Sequence, residues 1–365
     1  MLVFIIIIAV LGIGGYVFLH SAPFGKLPSG KRLEKIQRSP HYTDGKYLNL
    51  THTPDLAEGV GYTDIIRDLL FNKSKRVNPI DRIPSKKTDL LHLDPSKDVL
   101  VWFGHSSYFI QVDGKKILVD PVFSGNASPI PGTMKSYPGS DVYTVDELPA
   151  IDFLFISHDH WDHLDYETIT KLKSKVKKVI TGLGTGEHLE HWGYDTSAII
   201  EKEWNEEIDL GDGFIANTTP ARHFSGRGLR RQPSLWTSFV LRTPTLKIFI
   251  GGDSGYDTHF ATIGEKFGPF DLVLLECGQY NKNWKYIHSM PEEVLKEAQE
   301  LKAKRLMPVH WGKFSLALHA WDEPIIKIYA LSKAANLPLV TPLIGEEVNL
   351  KDPDQKFSAW WEKVK

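Results

Sequence analysis

From Met1 to Leu19 no position carries a charge, and Ile, Val, Leu, Phe and Gly fill nearly all of them. As a helix rising about 1.5 Å per residue, this stretch reaches about 28 Å, close to the hydrocarbon thickness of a bilayer. The other reading is a cleaved secretory leader. Against it, a basic segment ahead of the apolar run is missing, and Leu19-His20-Ser21-Ala22 is a poor small-residue cleavage site. The segment therefore reads as a retained single-pass anchor. Lys26, Lys31, Arg32, Lys35 and Arg38 follow, opposed only by Glu34. By the positive-inside rule this places the rest of the chain on the cytoplasmic side, and the same cluster would suit contact with anionic headgroups.

Residues 20–95 are rich in Pro, Lys, Asn and Asp, and show one helical stretch, around Tyr62 to Leu70. They read as an extension wrapping a main domain of residues 96–365. Within that domain Val99 to Phe103, Tyr108 to Val112 and Lys116 to Val119 have strand patterns, the last two joined by Asp113-Gly114, a strong two-residue hairpin signal. Further apolar runs predict strands at Phe153 to Ile156, Phe214 to Thr219, Ser238 to Arg242, Lys247 to Ile250, Leu272 to Leu275 and Arg305 to Val309. Helical patterns fall between them at Tyr166 to Lys175, Pro291 to Leu301 and Ile325 to Ala335, with Pro291 and Pro324 suited to helix starts. Hairpins mixed with strand–helix units predict an α/β (α+β) fold of two mixed sheets covered outside by helices.

Composition narrows the chemistry. The 43 basic and 45 acidic residues nearly cancel, so the chain lacks the electrostatic footprint of a nucleic-acid binder. Cys277 is the only cysteine, which excludes both an internal disulfide and a thiolate metal cage. Histidine is the informative residue type, with 15 present.

The decisive segment runs from Ile151 through an apolar strand to Ser157 and then His158-Asp-His160-Trp-Asp162-His163. Alternate residues of an extended chain point the same way, so His158 and His160 suit one ion, while Asp162 and His163, past a turn, address a second. Imidazole and carboxylate suit zinc, manganese or iron. The bland alternative, a polar loop capping the next helix, would need no distant partners, yet they exist at further predicted strand ends: His223, Asp253 and His310.

The sequence H-x-H-x-D-H, a later His, Gly252-Asp-Ser-Gly255 and Val309-His-Trp311 together resemble the metallo-β-lactamase superfamily over residues from about 99 to about 345. The resemblance implies an αββα sandwich with its site at one sheet edge. Less generic stretches, including Trp102-Phe-Gly-His105, Leu118-Val-Asp120-Pro-Val-Phe-Ser124 and His310-Trp-Gly-Lys-Phe314, are similar to the branch containing N-acyl-phosphatidylethanolamine-hydrolysing phospholipase D. Carried over, this implies one zinc on His158, His160 and His223 and a second on Asp162, His163 and His310. Asp253 would bridge the two ions and share in catalysis, with water activated between them as nucleophile. His288, matching a histidine beside the phosphate in these relatives, would steady the phosphate or protonate the leaving oxygen; a helix-cap neighbour is its plainer role.

Asp120 and His105 are candidates to orient ligands from behind, with loop capping as the alternative. Arg227, in a loop with Arg222, Arg230 and Arg231, is a candidate headgroup contact, set against a solvated loop balanced by the acidic run Glu201 to Asp209. Where the lipase branch has an apolar turn, this chain has Glu276-Cys-Gly-Gln279, a carboxylate expected to alter pocket polarity. The run Thr181 to Gly186 lacks the spacing and lysine of a phosphate loop and reads as a tight turn.

The function expected is a zinc phosphodiesterase acting on a membrane phospholipid, possible as a homodimer. The competing readings are a lactonase or other hydrolase of a small soluble substrate, a non-catalytic lipid-binding membrane protein, and a nuclease, which the neutral charge disfavours.

Overall fold

The computed structural model describes residues 1–130 and 132–365. Thirteen strands in the main domain form two sheets. The first takes β1 (Val99–Trp102), β2 (Tyr108–Val112), β3 (Lys115–Val119), β4 (Ile151–Ile156), β5 (Val176–Gly182) and β6 (Ile199–Lys202). The second takes β7 (Glu207–Gly211), β8 (Phe214–Thr219), β9 (Ser238–Arg242), β10 (Lys247–Ile250), β11 (Leu272–Glu276) and β12 (Leu306–Val309), after which β13 (Glu347–Asn349) returns to the edge of the first. The orders are β13-β1-β2-β3-β4-β5-β6 and β12-β11-β10-β9-β8-β7. Each sheet is mixed: antiparallel from β13 to β3 and from β7 to β10, parallel from β3 to β6 and from β10 to β12.

Period-two alternation sorts the strands onto two cores. Leu100 and Trp102 of β1 and Phe153 and Phe155 of β4 join Phe214, Phe239 and Phe249 between the sheets. The alternate residues Val99, Val101, Leu154 and Ile156 face the other way, beneath Ile169, Leu172 and Leu189. Those three belong to the helices Tyr166–Leu172 and Gly186–His191. Apolar residues of the helices His259–Phe267, Pro291–Glu300 and Glu323–Ala334 complete the packing with the second sheet. This is the αββα sandwich.

The sequence pattern shows β5 only as a short strand ahead of the glycine run, and the strands β6, β7 and β13 are not evident in it. They carry Glu, Asp and Lys at half-exposed positions of the sheet rims, so the apolar alternation that marks the central strands is absent. The glycine run is a turn into the helix Gly186–His191, and the Glu201 carboxylate already accepts from the backbone N–H groups of Gly184 (2.8 Å) and Gly186 (3.0 Å).

Leu2–Leu19 is one uninterrupted helix with no buried residue, long and apolar enough to cross a membrane. Part of the basic cluster behind it is engaged with the protein, while Lys31 and Arg38 are exposed and form no ion pair among the described residues. Arg32 pairs with Glu187, Glu190 and Glu201, Lys26 pairs with Glu187, and Lys35 donates to the Glu201 carbonyl. Residues 20–95 make many such contacts along the main domain, and one reaches the site: Asn49 brackets His223, donating to its carbonyl (2.9 Å) and accepting from its N–H (3.1 Å).

Candidate metal centre

Five strands deliver the site by ending at the same rim. Asp120 follows β3, Ser157 and the His158 loop follow β4, and His223, Asp253 and His310 follow β8, β10 and β12. All seven side chains singled out as ligands converge there. His160 Nδ1 lies 2.9 Å from His158 Nε2 and 3.2 Å from His223 Nε2. On the other side, Asp162 Oδ2 lies 3.5 Å from His163 Nε2 and 3.3 Å from His310 Nε2. Asp253 Oδ2 stands between the groups, 3.2 and 3.1 Å from His163 and His310, and 3.9 and 3.8 Å from His158 and His223.

The nitrogens turned away from this cluster are held from behind. Asp120 accepts from His163 Nδ1 (2.9 Å) and from the Ser157 hydroxyl, which in turn accepts from His158 Nδ1 (2.9 Å). His223 Nδ1 donates to the Ile287 carbonyl (2.9 Å). His105 Nε2 donates to Asp162 (2.8 Å), while its backbone is bonded on both sides to the His310 loop. Fixing the far nitrogen fixes the tautomer and leaves the near one as a lone-pair donor.

The donor set fits divalent metal. Burial pushes His160 down to about 4 and holds His158 and His223 well below the ordinary imidazole value, so all three stay in the neutral form that a metal ion requires. The second group behaves in the opposite sense: burial opposes charge on His310, but Asp253, Asp162 and Glu276 outweigh it and push the imidazole up to about 10. That concentration of carboxylates calls for positive charge. Among the described residues, His163 Nε2 and Asp253 Oδ1 are buried without any hydrogen-bond partner, the signature of atoms shaped for an ion.

The sequence missed the role of Glu276. Its carboxylate does not line an open pocket; it accepts from His288 Nδ1 (2.6 Å) and the Ser254 N–H (2.8 Å) and lies 3.1 Å from His310 Nδ1. It therefore orients a ligand and His288 together. Asp159 was also passed over. It is fully buried and accepts from the Gly226 N–H and the Ser234 hydroxyl, tying the His158 loop to the loop that carries His223. Its place between two histidines of the motif was the available signal.

Arg227 is a buried structural residue, not the headgroup contact expected from the sequence. Its guanidinium is buried, donating four hydrogen bonds to the carbonyls of Pro23, Asp159 and Leu164 and lying 3.9 Å over the Trp161 ring, so it is held inside the protein rather than presented to a phosphate. Its neighbours are likewise engaged, Arg222 with Tyr256 and His52, Arg230 with Gly45, and Arg231 with Asp55. Arg227→Ala strands three buried acceptors and should cost about 3 kcal/mol of stability. A thermal melt checks this: the expected result is a lowered midpoint with KM unchanged for the folded fraction, whereas a headgroup contact would raise KM and spare the melt.

A model of the β-lactamase superfamily domain matches residues 115–311, more than half of the chain. The chain belongs to the metallo-β-lactamase superfamily. Among relatives of this superfamily member, an uncharacterised protein of Mycobacterium tuberculosis is 35% identical over 94% of this chain and 93% of its own length. N-acyl-phosphatidylethanolamine-hydrolyzing phospholipase D 1 of Caenorhabditis elegans is 28% identical over 75% of this chain and 83% of its own. Of solved structures, the metallo hydrolase Igni18 of Ignicoccus hospitalis shares the superfamily fold with a TM-score of 0.54 at 20% identity, covering 69% of this chain and 98% of that one.

Proposed function

We propose that this metal-dependent hydrolase of the superfamily is a dinuclear zinc phosphodiesterase of phospholipase D type. Its substrate is N-acyl-phosphatidylethanolamine or a related membrane phospholipid. The observation that carries the reading is a contact chain from the membrane-length helix into the metal loop. Phe18, in the last turn of Leu2–Leu19, packs on Phe24 at 5.1 Å between ring centroids, and Phe24 packs on Trp161 at 5.0 Å. Trp161 sits between His160 and Asp162. An enzyme of small soluble substrates would gain little from stitching its ligand loop to such a helix. The C. elegans relative supports the phosphodiester class.

His158, His160 and His223 would hold one ion, Asp162, His163 and His310 the other, with Asp253 between them. When bound, such ions lower the pKa of water to near neutrality and stabilise charge on phosphoryl oxygens. This chain's own residues do the rest. Asp120, Glu276 and the Ile287 carbonyl keep the imidazoles in register. His288 has its Nδ1–H committed to Glu276, so Nε2 is the nitrogen that carries and gives up a proton, and its ring stands 5.0 Å from that of His223 and 5.2 Å from that of His310. As water forms its bond to phosphorus and gives up a proton to solvent, the breaking P–O bond leaves its electron pair on the alcohol oxygen, His288 supplies the proton there, and His288 is then recharged from solvent. On the positive-inside rule the Leu2–Leu19 anchor sets the catalytic domain on the cytoplasmic side.

Metal-replete full-length protein should release N-acylethanolamine from labelled N-acyl-phosphatidylethanolamine and leave a panel of lactones intact. Lactone opening without any phosphodiester cleavage would replace this reading with the lactonase.

A further inference from the structure

The helix Tyr62–Phe71 is mounted inside out. One side is anchored in the protein: Asp68 is buried and accepts from Asn283 Nδ2 at 2.8 Å, and Ile65 is half-buried, while Asp64 caps the helix by accepting from its own Gly61 N–H. Its apolar side faces away, with Tyr62 69%, Ile66 56%, Leu69 50%, Leu70 69% and Phe71 78% exposed. A soluble surface helix places these residues in the opposite sense.

We propose that this helix lies in the headgroup layer of a bilayer as a second membrane contact, separate from the spanning helix Leu2–Leu19. This inference rests on the membrane-borne reading above. Charge identifies the occupant. The acidic groups of the neighbourhood are taken, Asp64 by Arg67, Asp55 by Arg231 and Glu58 by Lys285. Lys73 and Lys75, immediately past the helix, are exposed and form no ion pair among the described residues, and neither does Lys282 beside Asn283. An apolar face rimmed by free lysines suits anionic lipid, whereas the core of a protein–protein interface is depleted of lysine.

The position gives the contact a use. The segment leading into the helix runs from Asn49, bonded on both sides to His223, to Ala57, whose N–H donates to the Asn283 carbonyl at 2.8 Å. Leu48 and Leu50 on this segment are exposed as well. Five residues beyond Asn283 stands His288. A bilayer held against Tyr62–Phe71 is therefore held beside the rim of the metal centre, where a lipid headgroup must enter.

Cys277 is fully buried, so a new surface cysteine takes a spin label alone. Full-length Leu70→Cys and Glu265→Cys, spin-labelled and reconstituted in phosphatidylcholine vesicles containing phosphatidylglycerol, give the test. At Leu70 the ratio of oxygen to water-soluble nickel accessibility should rise several-fold over that at Glu265. Nickel access at Leu70 equal to that at Glu265 would overturn the proposal. So would spin–spin broadening at Leu70 that persists in detergent, which would assign the face to a second copy. The readout needs no substrate: lipid exposure without headgroup release would sink the lipase reading alone, and headgroup release with a nickel-accessible Leu70 would sink this inference alone.

Discussion

Asp253→Ala should lose bound metal and lower turnover on the order of 10³-fold or more, since changes merely behind a metal ligand already cost about 10- to 100-fold. The expectation follows from position. Asp253 Oδ2 is within 3.9 Å of four imidazole nitrogens from both halves of the cluster, and no other carboxylate among the described residues spans them. Its second oxygen is buried with no partner among the described residues, so the protein spends a buried charge there without any return in hydrogen bonding. Alanine removes the carboxylate that both halves of the cluster share and leaves His163 and His310 to face Asp162 alone on the side of the proposed ions. Metal analysis alongside steady-state kinetics checks this, with a thermal melt to confirm folding. Wild-type turnover with two ions retained would remove Asp253 from the centre.

His288→Ala should slow cleavage of a lipid alcohol leaving group by about 10²- to 10⁴-fold, the range for a positioned general acid. It should leave p-nitrophenyl phosphodiesters nearly unaffected, because a phenolate departs without a proton. Glu276→Gln should move in the same direction by less, since the amide can still accept from His288 Nδ1 but no longer steadies a cationic ring. Glu276 also faces His310, so metal content must be measured on the same preparation. Equal losses on both substrates would mean that His288 only shapes the rim.

The metal loop was legible because its signal is local. A buried run, Ile151 to Ile156, ends in four potential ligands within six positions, and periodicity marks each strand that ends at the other ligands. The sandwich was legible for the same reason, with β6, β7 and β13 lost at the rims. Side-chain pairing across the chain was not. The carbonyls that capture Arg227 come from residues 204, 68 and 63 positions away, so one arginine among four in a single loop looked solvated or anion-seeking. Glu276 was seen as a departure, but the nitrogens it serves arrive from two other loops. Asn49, 174 positions from His223, left no trace in the pattern.

The apolar face of Tyr62–Phe71 shows a related gap. The sequence pattern predicts a helix there but not which side faces the protein, because Asp68 finds its partner in Asn283, 215 positions on.

The central claim is that seven side chains hold two adjacent ions, and diffraction from crystals of the zinc-loaded full-length protein, recorded across the zinc absorption edge, tests it directly. Two anomalous peaks are expected, one touching His158 Nε2, His160 Nδ1 and His223 Nε2, the other Asp162, His163 Nε2 and His310 Nε2, with Asp253 touching both. A single peak, or none among these atoms, would contradict the dinuclear centre and the phosphodiesterase built on it.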